Sequence, residues 1–225
     1  MRLSAPVAAA LCILCLMTSC KKASKTERLQ TGDLVFVGIP MDYSLEDGTM
    51  DEAISTSTGS PDDLNLIHVA IAEVSGDITW IIDATIRHGV DRHPLDTFFT
   101  DFTLKDGSLP TFLVKRLKDP SNAVQFVENA KGFVGKAYDL YFLPDNDLLY
   151  CSELVRDSYR EEDGSYVCDS EPMNFKWPDG DFPLYWKQLF ALLDRPIPQD
   201  QPGTNPQDMS RSAVLETVNV DITNK

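Results

Sequence analysis

The sequence predicts an α+β layer fold, because its strand-like segments come first and its helix-like segments follow. Short β-rich runs at Leu34–Val37, Leu66–Glu73, Ile78–Ala84 and Phe112–Leu117 are parted by Gly, Asp and Ser. Helical spacing of apolar residues begins only later, over Ser121–Val134 and Cys151–Tyr159. A chain of 225 residues with 43% hydrophobic side chains can bury one sizeable core, which excludes wholesale disorder.

Taken in order, residues 1–19 read as a signal peptide. Arg2 precedes an unbroken apolar run, Ala8–Met17, of the length of a signal-peptide core. The run is well short of the roughly 20 residues that span a bilayer. Leu16-Met17-Thr18-Ser19-Cys20 resembles a lipobox, with Met17 where Leu is usual, and the resemblance implies that Cys20 carries the acyl chains. Two such chains anchor a protein stably, which implies a lipoprotein of the cell envelope, on the periplasmic side or at the cell surface. The competing reading is an ordinary secretory signal with a chance Cys. Residues 20–29 form a polar, basic tether, residues 30–195 the folded domain and residues 196–225 a polar C-terminal extension.

Within the domain, Thr31-Gly32-Asp33 is a turn leading into the first strand. Residues 40–63 are a long surface loop with a short helix near Met50–Ile54, placed to shape a pocket. Leu66–Glu73 and Ile78–Ala84 form a hairpin about Ser75-Gly76-Asp77. Asp91–Phe102 is amphipathic or irregular. Ser121 is the expected N-cap of the first long helix and Gly135 its end, and Gly164 lies beyond the second. A short helix is expected near Leu184–Leu193, then surface coil over 194–210.

Composition bounds the partners. The formal charge of −15 opposes nucleic-acid phosphates, so nucleic-acid binding is excluded. Three His are too few for a His-rich metal site. His88 and His93, between two Arg, read as part of a solvated loop rather than as metal ligands. Neither a metal nor a cofactor is expected.

Three residues stand out as candidates for chemistry. His68 lies in the apolar strand Leu66-Ile67-His68-Val69-Ala70, sharing a face with Leu66 and Ala70 by simple alternation. Asp83 interrupts Ile81-Ile82-Asp83-Ala84, and a buried carboxylate requires a partner. A symmetric hairpin about Gly76 sets the two directly across from each other, with Cβ atoms about 5 Å apart. Cys151, in Tyr150-Cys151-Ser152-Glu153-Leu154-Val155, falls in the first turn of a helix, where free N–H groups and the dipole favour a thiolate. The bland readings are a buried structural Cys, or a disulfide between Cys151 and Cys168. Cys168 is otherwise a packed bystander.

Gly135-Lys136-Ala137-Tyr138-Asp139 with Tyr150-Cys151-Ser152-Glu153-Leu154-Val155 resembles the GxPY…DCSxLV signature of NlpC-type cell-wall cysteine peptidases. Here the His strand precedes the Cys, an order similar to the circularly permuted papain-like hydrolases of the YiiX/YaeF group. Gly32-Asp33-Leu34-Val35-Phe36, His68-Val69-Ala70-Ile71 and Ile82-Asp83-Ala84 resemble that group's GDLVF, HVGI and VIEA segments, the last with Asp for Glu. The resemblance implies a permuted papain-like fold, an antiparallel sheet or small barrel packed against the helix that bears the Cys. It implies Cys151 as nucleophile, His68 as general base and acid, Asp83 as the group orienting the imidazole, and Tyr138 near the oxyanion. Ala137 stands where the signature has Pro. The expected activity is amide hydrolysis on a small peptide or cell-wall fragment. The alternatives are an N-acyl or ester lipid substrate, and a binding lipoprotein without turnover.

Overall fold

The computed structural model describes residues 26–39, 45, 48–59 and 64–223. The proposed signal peptide and Cys20 lie outside the described residues, as does most of the 40–47 loop. Among the described residues, no helix is long and apolar enough to cross a membrane.

The chain runs β1 (Leu34–Ile39), α1 (Met50–Thr58), β2 (Asn65–Ser75), β3 (Ile78–Thr85), β4 (Gly89–Pro94), α2 (Leu95–Asp101), β5 (Thr111–Leu117), α3 (Ala123–Lys131) and α4 (Cys151–Ser158). It continues through β6 (Glu171–Pro172), α5 (Leu184–Leu192), β7 (Pro202–Gly203), α6 (Pro206–Ser210) and β8 (Leu215–Thr217). The main sheet is antiparallel and open, in the order β4-β3-β2-β1-β5-β8, with β6 and β7 forming a small separate ribbon. It is thus a sheet and not the small barrel that was the other form expected.

β-branched and aliphatic runs let the central strands bury both faces. On one face Leu34, Phe36, Val69 and Ile71 pack with Phe126 of α3 and Leu154 and Val155 of α4. On the other, Val35, Val37, Ala70 and Ile81 pack with Phe98 of α2. A third cluster joins α5 to the loops around α4 through Phe142, Tyr150, Phe175, Trp186 and Phe190. Tyr159, just past α4, donates its hydroxyl proton to the Gly32 carbonyl at 2.8 Å, pinning this helix to the start of β1. Arg116 grips the buried Asp33 with two bonds of 2.7 and 2.8 Å, the bidentate geometry a guanidinium favours.

Four local expectations are corrected. The Asp91–Phe102 stretch is a strand followed by a helix, because Val90 and His93 turn inward and Phe98 packs on the sheet. α3 starts one turn-residue later, with Asn122 rather than Ser121 as N-cap, and ends at Gly132. Residues 194–210, expected as coil, contain β7 and α6, where Gln207 is buried and its Oε1 accepts the Leu66 N–H at 3.0 Å. Beyond them β8 pairs with β5, so the polar extension contributes a strand to the main sheet. Glu27 and Val220 form a bridge beside this edge, the Glu27 N–H donating to the Asn219 carbonyl at 2.7 Å.

Candidate active site

A β-bulge in β2 lies next to His68. Val37 pairs with His68 but Gly38 pairs with Leu66, so Ile67 is one residue too many on β2. Simple alternation therefore fails here. His68 shares the face of Val37 and Ala70, while Leu66 packs on the opposite face. At the bulge the Leu64 side chain packs directly over Gly38, within 2.3 Å of where a Cβ would sit.

The β2–β3 ladder runs from Ile71↔Ile82 to Ser75↔Ile78, a register displaced by two from the symmetric hairpin. Asp83 is consequently diagonal to His68 on the same face. Its reach suffices, and His68 Nε2–H donates to Asp83 Oδ2 at 2.8 Å. Asp83 and His68 are 2% and 6% exposed, so this is a buried charged pair. Phe102 lies over the imidazole with ring centroids 4.6 Å apart.

With Nε2 taken by Asp83, the other ring nitrogen is free for sulfur. The His68 imidazole interacts electrostatically with the Cys151 sulfur. Burial pulls the His68 pKa down, but the charge on the sulfur and the bond to Asp83 outweigh it and lift it to about 10. Burial likewise opposes ionisation of Asp83, but its bonds from His68 and His93 hold it down at about 2. The imidazolium and carboxylate are thus the preferred forms at neutral pH.

Cys151 is the first residue of α4 and is buried. Its N-cap, Tyr150, is extended and supplies no side-chain cap, and the first N–H groups of a helix have no intrahelical partner. Cys151 and Cys168 are both free thiols, which removes the disulfide reading. Tyr138 pairs with Leu149, just before α4, and faces the same pocket as Cys151. Burial, and next the charge on the Cys151 sulfur, raise its pKa well above the ordinary value and keep it a neutral phenol.

The pocket beside Cys151 has an interior of about 40 Å³ and is bounded by Tyr138, Phe142, Tyr150, Met173 and Trp186. Four buried polar atoms on residues of its wall have no hydrogen-bond partner: Ser57 Oγ, Ser152 Oγ, Trp186 Nε1 and Thr204 Oγ1. A second cleft, of about 310 Å³, borders Phe102 on the His68 side and carries Asp51, Arg87, Asp101 and Lys105. Burial raises the Asp51 pKa, and the charge of His68 partly reverses this.

Sequence reasoning brought His68, Asp83, Cys151 and Tyr138 into view and missed the rest. His93 is not in a loop. It is on β4, 6% exposed, and its Nε2 is 3.1 Å from Asp83 Oδ1. The only sequence signal for that strand is the glycine turn at Gly89 followed by Val90, since the consecutive Asp91 and Arg92 break the alternation. Glu153 was also unremarked. Burial first, then the charges of Asp139 and Asp157, raise its carboxyl to about 8. The wall formed by Phe175, Trp186 and Thr204 comes from segments whose sequence carried no site motif. Among the described residues no group of three or more His, Cys, Asp or Glu is placed to hold a metal ion.

A cysteine opening a helix, interacting with an imidazole that a sheet strand delivers and a carboxylate holds, defines a papain-like cysteine hydrolase with its His strand ahead of its Cys helix. The chain belongs to the permuted papain-like amidase family of YaeF and YiiX, the C92 family, whose profile matches residues 28–219. It is an amidase- or peptidase-type cysteine hydrolase. The structure of the metalloprotein yiiX from Escherichia coli O157:H7 has the same fold, with a TM-score of 0.64 and 23% identity over 87% of this chain and 99% of that one. No curated protein matches the sequence.

Proposed function

We propose that the protein is a lipid-anchored hydrolase that cleaves an amide bond in a peptidoglycan-type peptide or similar amino-acid amide. Cys151 is the nucleophile, His68 the general base and acid, Asp83 the orienting carboxylate. The observation that carries this reading is a buried imidazole bonded to a carboxylate through one nitrogen and interacting with the sulfur of a cysteine that opens a helix.

The Cys151 thiolate adds to the amide carbonyl carbon, and the N–H groups at the start of α4 face the oxygen that gains charge. The C–N bond then breaks as His68 gives its proton to the departing amine, leaving a thioester. His68, now neutral, takes a proton from water. The hydroxide displaces the sulfur, releasing the carboxylic acid and restoring the thiolate–imidazolium pair. Asp83 keeps the imidazole in one orientation throughout. Tyr138, a neutral phenol lining the same pocket as Cys151, is the donor proposed near the oxyanion.

Two observations bear on the substrate. The interior next to Cys151, about 40 Å³, is far smaller than the 310 Å³ of the cleft beyond His68, which supports a small acyl residue over a long acyl chain on the Cys151 side. The charged side chains Asp51, Arg87 and Lys105 around the cleft beyond His68 support a polar remainder. An anchor at Cys20 and the basic tether would hold this site at the membrane of the cell envelope.

Incubation with muropeptides and, separately, with N-acyl amino acids, followed by mass spectrometry, tests the proposal. Loss of one amide bond from muropeptides, abolished by Cys151→Ala, is expected. Cleavage confined to the acyl amino acids would move the substrate to the lipid class. Full activity in Cys151→Ala would overturn the mechanism.

A further inference from the structure

We infer that His93 is a positioning residue of this site, a second imidazolium that clamps the far oxygen of Asp83 and balances its charge. The inference rests on the Cys151–His68–Asp83 reading above.

The geometry fixes the protons. Asp83 Oδ2 accepts from His68 Nε2 at 2.8 Å, and Asp83 Oδ1 lies 3.1 Å from His93 Nε2. An ionised carboxylate only accepts, so His93 Nε2 must carry hydrogen. His93 Nδ1 lies 3.3 Å from the Pro94 carbonyl, also an acceptor only, so it too carries hydrogen. A ring with both nitrogens donating is an imidazolium. The Phe98 ring stacks near-parallel to His93 at 6.5 Å and lies 6.3 Å from His68, closing one side against water.

The charges explain why such a group belongs here. In the reactive form proposed above, thiolate, imidazolium and carboxylate together carry one net negative charge in a buried site, and burying net charge is costly. A second imidazolium brings the chain Cys151–His68–Asp83–His93 to neutrality. The other charged groups are few. β4 itself adds Asp91, whose charge favours the protonated ring, and Arg92, which is bonded to Glu73 at 2.6 Å and stacks on Trp80. β3 contributes only Asp83, and β2 contributes His68 and the Arg92-bound Glu73. α2, packed over β3 and β4, brings Asp96 and Asp101, the latter bonded to Arg87 at 3.0 Å. Burial lowers the His93 pKa, but the bond to Asp83 and its charge more than reverse this.

The inference predicts how the site titrates. A positive His93 stabilises the thiolate and opposes protonation of His68, so both limbs of a reactivity profile sit at lower pH than they would without it. The test follows Cys151 alkylation by iodoacetamide from pH 5 to 10, with Cys168 as internal reference in the same peptide maps. The proteins are wild type, His68→Ala, His93→Gln and His93→Leu, and the imidazole ¹³C and ¹⁵N shifts of wild type are read alongside. His93→Gln keeps a donor towards Asp83 without the charge, and is expected to move both limbs up by about half a pH unit or more. His93→Leu strands Asp83 Oδ1 and is expected to lower the plateau by about tenfold or more, with His93→Gln retaining more of it. Wild-type His93 is expected to be doubly protonated at pH 7.

A His93→Gln profile superimposable on wild type, or a neutral His93 tautomer at pH 7, overturns the inference while a His68-dependent, fast-reacting Cys151 leaves the underlying reading intact. A Cys151 that reacts like Cys168 and ignores His68→Ala overturns that reading, and the inference with it. Should His93→Leu not fold, His93→Gln and the imidazole shifts decide.

Discussion

Asp83 lies diagonally across the β2–β3 ladder from His68 and holds its Nε2 at 2.8 Å. A diagonal pair lies farther apart along the backbone than a direct one, so the contact depends on both side chains standing on the same face of the sheet. Asp83→Asn keeps the size but removes the charge and the fixed acceptor. Turnover is expected to fall by roughly 10³–10⁴-fold, with little change in KM. Steady-state kinetics on the substrate class that proves active would check this, alongside slower alkylation of Cys151 at neutral pH.

The pair also ties stability to pH. The folded-state pKa of His68, about 10, lies above its ordinary 6.5. Its contribution is complete below about pH 6.5 and is lost as the pH rises towards 10. Asp83 is depressed from 3.8 to about 2, so its contribution holds above 3.8 and is lost as the pH falls towards 2. Thermal melts should show Tm falling from neutral pH towards pH 10, and His68→Gln should flatten that slope.

Glu153 acts in the opposite sense. Its folded pKa of about 8 exceeds the ordinary 4.5, so the folded state holds a proton that the unfolded chain releases. Stability therefore falls as the pH rises from 4.5 to 8. Its Oε2 is buried without a hydrogen-bond partner. Glu153→Gln keeps the size of the side chain and removes the buried charge. It should raise stability at pH 8 by roughly 1 kcal/mol or more, and have little effect at pH 4.5.

Gly89 links the β3–β4 turn to the segment carrying Tyr138. Its φ is +67°, and a Cβ would lie 2.3 Å from the Lys136 carbonyl oxygen. That oxygen accepts the Val90 N–H at 2.8 Å, and the Gly135 N–H returns a bond to the Val90 carbonyl. Gly89→Ala combines left-handed strain with a backbone clash, and should cost about 2 kcal/mol or more. Because the clash displaces the chain just before Tyr138, KM should rise as well. Denaturant unfolding and substrate titration separate the two effects.

The strands and the two long helices were legible because their apolar residues repeat at the period of each element, as in Leu34–Val37 and at Leu154, Val155 and Tyr159. Cys151 and His68 were legible as polar groups out of place in such patterns. The His68–Asp83 partnership was anticipated through the wrong register, because a hairpin's symmetry can be read from its turn but a two-residue displacement cannot. The place of Leu66 on the face opposite His68 was hidden by the bulge, since an extra residue leaves no compositional trace in Leu66-Ile67-His68. His93 was passed over because Asp91 and Arg92 made its strand look like solvated loop. The pocket wall was invisible for another reason. Phe175, Trp186 and Thr204 meet Tyr150 only through long-range packing, and no local pattern encodes such a meeting.

The bridge between Glu27 and Val220 places the two ends of the folded body side by side. A chain whose ends adjoin is topologically close to a loop, and it can be cut elsewhere with its packing preserved. Splicing those ends with a few flexible residues and reopening the polypeptide at the exposed Gly107 turn should yield a protein with the same hydrophobic interior. Its new ends would emerge between α2 and β5, far in sequence from both Cys151 and the basic stretch before Glu27.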